Sequence, residues 1–98
     1  MKKEFCIMPD NPPYWSNKRL PGTHRHEAFF GARNRQKSIE DGLVVFLTPE
    51  LHNASNRGVH FNREFDLMIK RAAERVWLDY YHKEIDDFIK KYGRNYLW

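Results

Sequence analysis

The sequence predicts an α+β domain: a β-hairpin packed on one long helix, with an irregular N-terminal wrap and an extra C-terminal helix. Three observations lead there. All five prolines and four of the five glycines precede His60, whereas residues 60–92 contain neither, so loops and strands give way to helix. The run LVVFLT, residues 43–48, is apolar and β-branched between Gly42 and Pro49, as a buried strand should be. Finally, Phe65, Met68, Ile69, Ala72, Ala73, Val76, Trp77, Tyr80 and Tyr81 recur at helical spacing, with Lys70, Arg71, Glu74, Arg75 and Asp79 mostly off that stripe.

With 98 residues there is room for one domain and a modest core. Residues 1–22 carry four of the prolines and read as a wrap laid on the core through Tyr14, Trp15 and Leu20. Residues 23–82 form the ββα core. A first strand is expected over 24–30, a polar turn with room for a helical turn follows, and 43–48 completes an antiparallel hairpin. Asn62 is placed to cap the long helix, and Glu64 puts a carboxylate in its first turn. Residues 83–98 hold a second helix over 83–92 with Ile85, Phe88 and Ile89 on its apolar face. Gly93 is its C-cap, and Tyr96, Leu97 and Trp98 are expected to fold back over the core.

Mean hydropathy is −0.83 and no apolar run approaches the roughly 20 residues of a membrane span. The start, MKKEFCIMPD, has no apolar stretch behind its lysines, so neither a leader nor an anchor is expected, and no membrane partner. A single cysteine, Cys6, leaves no internal disulfide and suits a reducing compartment, so a cytoplasmic location is expected. Seventeen Lys+Arg against 13 Asp+Glu give a net +4. Between residues 17 and 37 six basic side chains meet one acid, Glu27. Such a block beside the histidines points to nucleic acid, because neutralising phosphates releases condensed counterions.

Of five histidines, three sit at element boundaries: His26 on the first strand, His52 after the second, His60 just before the long helix. A hairpin packed on a helix brings those places to one end of the motif. Together with Glu27 they make an imidazole and carboxylate set suited to a divalent cation. His24 lies on the same strand face as His26 and reads either as a phosphate contact or as nothing functional. His82 is read as structural.

The segments THRHEAFFGARNRQKS, GLVVFLTPELHN and GVHFNREFDLMIK, spanning 23–70, and the terminal GRNYL resemble a group of small phage and bacterial HNH-type (ββα-metal) proteins. In that family a His-His pair ends the first strand before a phenylalanine-glycine turn, a histidine follows the second strand, and a GVH segment leads into the helix. The resemblance implies an endonuclease that hydrolyses phosphodiester bonds in DNA with low sequence specificity. It implies a divalent ion such as Mg²⁺, Mn²⁺, Ni²⁺ or Zn²⁺, which polarises the phosphate while a base activates water. By matching, His26 is an expected metal ligand, His52 and His60 are expected metal ligands or phosphate contacts, and His26 and Glu27 are expected to be catalytic. Arg33 and Arg35 are expected to contact the nucleic-acid backbone; Arg25 and Lys37 of the same basic block are expected nucleic-acid contacts too.

Three departures qualify the match. Glu27 stands where the second histidine of the pair, the usual base, would be. It can serve as base or as ligand, or a register with His24 and His26 as the pair makes His26 the base; FFG favours the first register. Gly42 occupies the place of the motif's middle asparagine, for which Asn34, Asn53 or Asn62 are substitutes. Cys6 survives from a zinc knuckle whose other positions here are Pro9, Thr48 and Leu51, so the structural zinc is expected to be lost, with packing by Trp15 and the aromatic C-terminus in its place. Two alternatives follow: a non-catalytic nucleic-acid-binding module on the same scaffold, or a phage accessory protein that binds a partner through Tyr14, Trp15, Tyr96 and Trp98. Oligomeric state is open.

Overall fold

In a computed structural model of the chain, residues 4–54 and 58–98 are described. They form β1 (His24–Glu27), α1 (Arg35–Asp41), β2 (Val44–Leu47), a single wide π-type turn (Glu50–Ala54), α2 (Arg63–Tyr81) and α3 (Ile85–Tyr92). The strands pair antiparallel, with His24 opposite Leu47 and His26 opposite Val45. This is the expected small α+β domain built on a hairpin and helices, with a radius of gyration of 12.9 Å.

The first strand is shorter than the expected 24–30. Ala28 still donates to the Leu43 carbonyl, but the Phe29 amide and carbonyl both bond to the buried Ser38 hydroxyl. A side chain thus replaces the strand ladder and turns the chain into residues 31–34. The stretch read as a polar turn holds α1, which ends at Gly42 in the left-handed conformation, φ 77°. A Cβ there would meet the Phe5 ring at 2.9 Å and the Ile7 amide nitrogen at 3.1 Å. Gly42 is therefore required by the helix end and by the wrap crossing it.

All four β2 residues are buried. Val45 and Leu47 face the main core, while the wrap covers the rest: Ser16 exchanges two backbone hydrogen bonds with Phe46, and Ile7 donates to the Gly42 carbonyl. Trp15 is buried, its indole donating to the Pro9 carbonyl at 2.8 Å. Tyr14 and Leu20, expected to pack inward with it, are about half exposed. The Cys6 thiol donates to the Val44 carbonyl, and burial pushes its pKa up.

Asn62 caps α2 as expected, its side chain accepting from the Phe65 amide at 3.1 Å. The buried stripe is narrower than the sequence suggested. Phe65, Ile69, Ala73 and Trp77 are buried, whereas Met68 and Tyr80 are exposed, because a two-stranded hairpin covers little more than one residue per turn. α3 begins with a capping box between Glu84 and Asp87 and ends at Gly93. Its Phe88 and Tyr92 pack on Phe29 and Trp77, with centroids 4.8–6.2 Å apart, each fully buried phenylalanine contributing about 1.5–3 kcal/mol. Ile89, expected on that face, is exposed. Tyr96 folds back onto Phe29, held by Glu74 and Arg71 through its backbone, but Trp98 stays in solvent. No described helix is long and apolar enough to cross a membrane.

Candidate functional site

Three local features carry the histidines to one place. Alternation along β1 puts His24 and His26 on one side of the strand. The turn after β2 starts with the His52 amide bonding to the Thr48 carbonyl. The chain then returns beside itself, with Val59 donating to Leu51 at 2.7 Å and His60 to the His52 carbonyl at 3.4 Å. Val59 is buried and anchors this return just before the Asn62 cap.

His26, His52 and His60 each offer a nitrogen, and these atoms lie within 4.8 Å of one another. The Nε2 atoms of His52 and His60 are 3.2 Å apart. Two nitrogens bound at 2.0–2.1 Å to a tetrahedral ion would be separated by about 3.3–3.4 Å. His26 is 2% exposed and its Nε2 has no hydrogen-bond partner among the described residues. Burial, followed by the neighbouring His60, His52 and Lys70, lowers its pKa to about 3. Burial and the other imidazoles also lower that of His52. A buried imidazole whose Nε2 no described residue uses, beside two further imidazoles at ligand spacing, fits a divalent cation.

His52 uses its second nitrogen as well: its Nδ1 lies 3.2 Å from Nδ1 of His24. If Nε2 of His52 is a ligand, its Nδ1 carries the proton and donates to His24, an arrangement that fixes tautomer and ring direction. Phe30 walls the cluster, 5.4 Å from the His26 ring and 4.9 Å from His60. Behind it, Lys70 lies 4.7 Å from the Phe30 ring and pairs with Asp66 at 2.8 Å. The i,i+4 spacing of Asp66 and Lys70 on the long helix is a signal for their pairing, whereas the Phe30 contact had none.

Glu27 is buried to 7% exposure beside the cluster. Its two oxygens are taken by Arg25 Nε at 3.0 Å and Arg35 Nε at 2.9 Å. Arg25, Glu27 and Arg35 line a cleft of about 760 Å³ together with His26, His52, His60, Phe30 and Gln36. Two expected nucleic-acid contacts fall elsewhere. Lys37 donates to the Lys91 carbonyl at 2.7 Å, at the end of α3, and lines no part of the cleft; Arg33 is exposed outside it. The substitute asparagines are also outside it: Asn34 donates to the Tyr92 carbonyl, Asn62 caps α2 and Asn53 is exposed. Of the aromatics expected at a partner surface, Trp15 is buried and Tyr96 is packed on Phe29, leaving Tyr14 and Trp98 open.

The chain matches no family model, no curated protein and no solved structure. The site's own chemistry therefore carries the functional argument.

Proposed function

We propose that this chain is a metal-dependent endonuclease of the HNH-like (ββα-metal) type, hydrolysing phosphodiester bonds in DNA with little sequence specificity. The observation that carries the reading is the meeting of His26, His52 and His60, with the Nε2 of buried His26 unpartnered among the described residues. The donor set is all imidazole, since Glu27, the carboxylate lining the same cleft, is engaged by two arginines. Imidazole suits Zn²⁺, Ni²⁺ and similar ions, whereas Mg²⁺ prefers oxygen ligands, so the proposal favours a transition metal. Such an ion supplies positive charge to phosphate oxygens and acidifies water enough for attack near neutral pH.

The protein's own part is positioning. The three histidines come from the strand, the turn and the loop before α2, so closing the hairpin on the helix assembles them. Phe30 excludes water from one side of His26 and His60. Lys70 behind it helps to keep His26 neutral. Arg25 and Arg35 put positive charge where a phosphate would lie in the cleft. Phosphate contacts of this kind position the duplex without reading bases, hence the low specificity.

The test is incubation of supercoiled plasmid and single-stranded DNA with EDTA, Mg²⁺, Mn²⁺, Ni²⁺ or Zn²⁺. Cleavage is expected only with a metal ion, transition metals ahead of Mg²⁺, and His26→Ala or His60→Ala should lower it by at least about a hundredfold with circular dichroism unchanged. Cleavage that ignores both substitutions would sink the assignment. The engagement of Glu27 by two arginines favours one second reading, a nucleic-acid-binding module without turnover. A folded protein that shifts DNA in gels yet cuts with no metal would establish it.

A further inference from the structure

We propose that Glu27 is a positioning residue that holds Arg25 and Arg35 as a preformed two-guanidinium clamp for the phosphates of a nucleic-acid backbone. The choice of ligand rests on the phosphodiesterase reading; the clamp itself rests on geometry. Arg25 and Glu27 are two apart on β1 and share a side of the strand, while Arg35 opens α1. Each guanidinium meets a different carboxylate oxygen: Arg25 donates a hydrogen bond from Nε at 3.0 Å, and Arg35 is ion-paired with its Nε 2.9 Å away. An arginine has five N–H donors in a planar fork, so anchoring at Nε leaves both terminal NH2 groups free to form the paired bonds phosphate accepts. No described residue takes those groups, and the two side chains are 32% and 66% exposed on the cleft that also holds the histidines.

The buried carboxylate at the centre explains why two long side chains are held side by side. Two free arginines 3 Å from a common point repel each other; one shared anion offsets that repulsion and leaves the group a net single positive charge. A flexible arginine must also be immobilised when it grips a phosphate, and an arginine already tethered has lost that freedom before binding. A general base, by contrast, must present an oxygen to water, and both oxygens of Glu27 face guanidinium groups. The clamp accounts for a carboxylate in a basic cleft whose ligand is an anion.

The experiment turns on a sign. Binding of a fluorescein-labelled DNA duplex is followed by anisotropy in EDTA at fixed salt, using the full chain. If Glu27 is only a negative charge near the DNA, Glu27→Gln makes binding tighter. If it holds the clamp, Glu27→Gln weakens binding by about three- to tenfold, the freedom of the released arginines having to be removed again. Glu27→Asp keeps the charge but shortens the reach by one methylene, and weakens binding as well. Arg35→Gln costs less in the Glu27→Gln background than in the parent, because the two act as a unit.

Equal or tighter binding by both Glu27 variants overturns the proposal, and so does a parent protein that binds no DNA in EDTA. Should Glu27→Gln fail to fold by circular dichroism, Glu27→Asp decides. In metal-supported cleavage, KM rises by the binding factor and kcat stays within about twofold. A hundredfold loss of kcat at constant KM makes Glu27 the base and overturns the clamp. If no metal supports cleavage, the hydrolase reading falls while the EDTA measurements still decide the clamp.

Discussion

At the residue scale, the pair His24 and His52 makes the sharpest demand. A ligand imidazole needs its far nitrogen held, and for His52, proposed as a ligand, the group within reach is another imidazole, Nδ1 to Nδ1 at 3.2 Å. His24→Phe keeps a ring of similar size but accepts no hydrogen bond, so metal affinity is expected to fall about 10- to 100-fold. Calorimetric titration with Zn²⁺ and the absorption of bound Co²⁺ would measure this without any substrate. His24→Gln, whose side-chain carbonyl can accept, should recover part of the loss; an unchanged affinity in His24→Phe would show that His52 needs no such support. The meeting of His26, His52 and His60 was legible in the sequence because each stands at an element boundary, and boundaries are marked by Gly, Pro and Asn. The tie from His24 to His52 was not, since it depends on how the 50–54 turn winds. Lys37 was misplaced for a related reason: a lysine in a basic block gives no sign that a helix end will take its ammonium group.

Among the elements, the start of the long helix and the end of α3 could be read directly, because Asn62, Glu64 and Gly93 carry local chemistry that needs no tertiary context. α1 was hidden: its seven residues, RQKSIED, contain one large apolar side chain and no periodic stripe. What fixes it is tertiary. Asp41, in its last turn, accepts from the Trp77 indole at 2.9 Å, from the Tyr92 hydroxyl at 2.7 Å and from Lys91 at 2.8 Å, so that one carboxylate ties α1 to α2 and α3. Asp41→Ala would leave two buried donors without acceptors and is expected to cost about 3 kcal/mol, measured by urea unfolding. Asp41→Asn keeps an acceptor and should cost less. A loss below about 1 kcal/mol for the alanine variant, the worth of one ordinary hydrogen bond, would mean that the junction holds without its carboxylate. Arg35 hangs on this same short helix, so the clamp was invisible for the reason α1 was: Arg25 and Glu27 could be paired from strand spacing, their partner could not.

For the whole molecule, the histidine cluster is expected to couple stability to pH and, as a proposed metal site, to metal. Folding buries His26 as a neutral ring with its pKa lowered to about 3, by burial first and then by His60, His52 and Lys70, whereas in the unfolded chain a histidine titrates near pH ~6.5. Below that pH the unfolded state binds a proton that the folded state refuses, so stability is full above pH ~6.5 and falls as the solution is acidified towards the folded value. The slope is about 1.4 kcal/mol per pH unit for one such group, and His52, shifted in the same direction, adds to it. In EDTA, urea unfolding at pH 7.5 and pH 5 should therefore differ by about 2 kcal/mol in the parent. That difference should shrink in His26→Phe, which has nothing to protonate and fills the same buried space. Parallel pH dependences in the two proteins would mean that His26 takes up its proton in the folded state. A metal ion bound to the neutral rings shifts the balance further towards the fold, by about 2.7 kcal/mol at a hundredfold excess over Kd. Acid must then remove the ion before it can protonate the ligands. The stabilisation added by Zn²⁺ is accordingly expected to vanish between pH ~6.5 and pH ~5, as proton and metal compete for the same nitrogens.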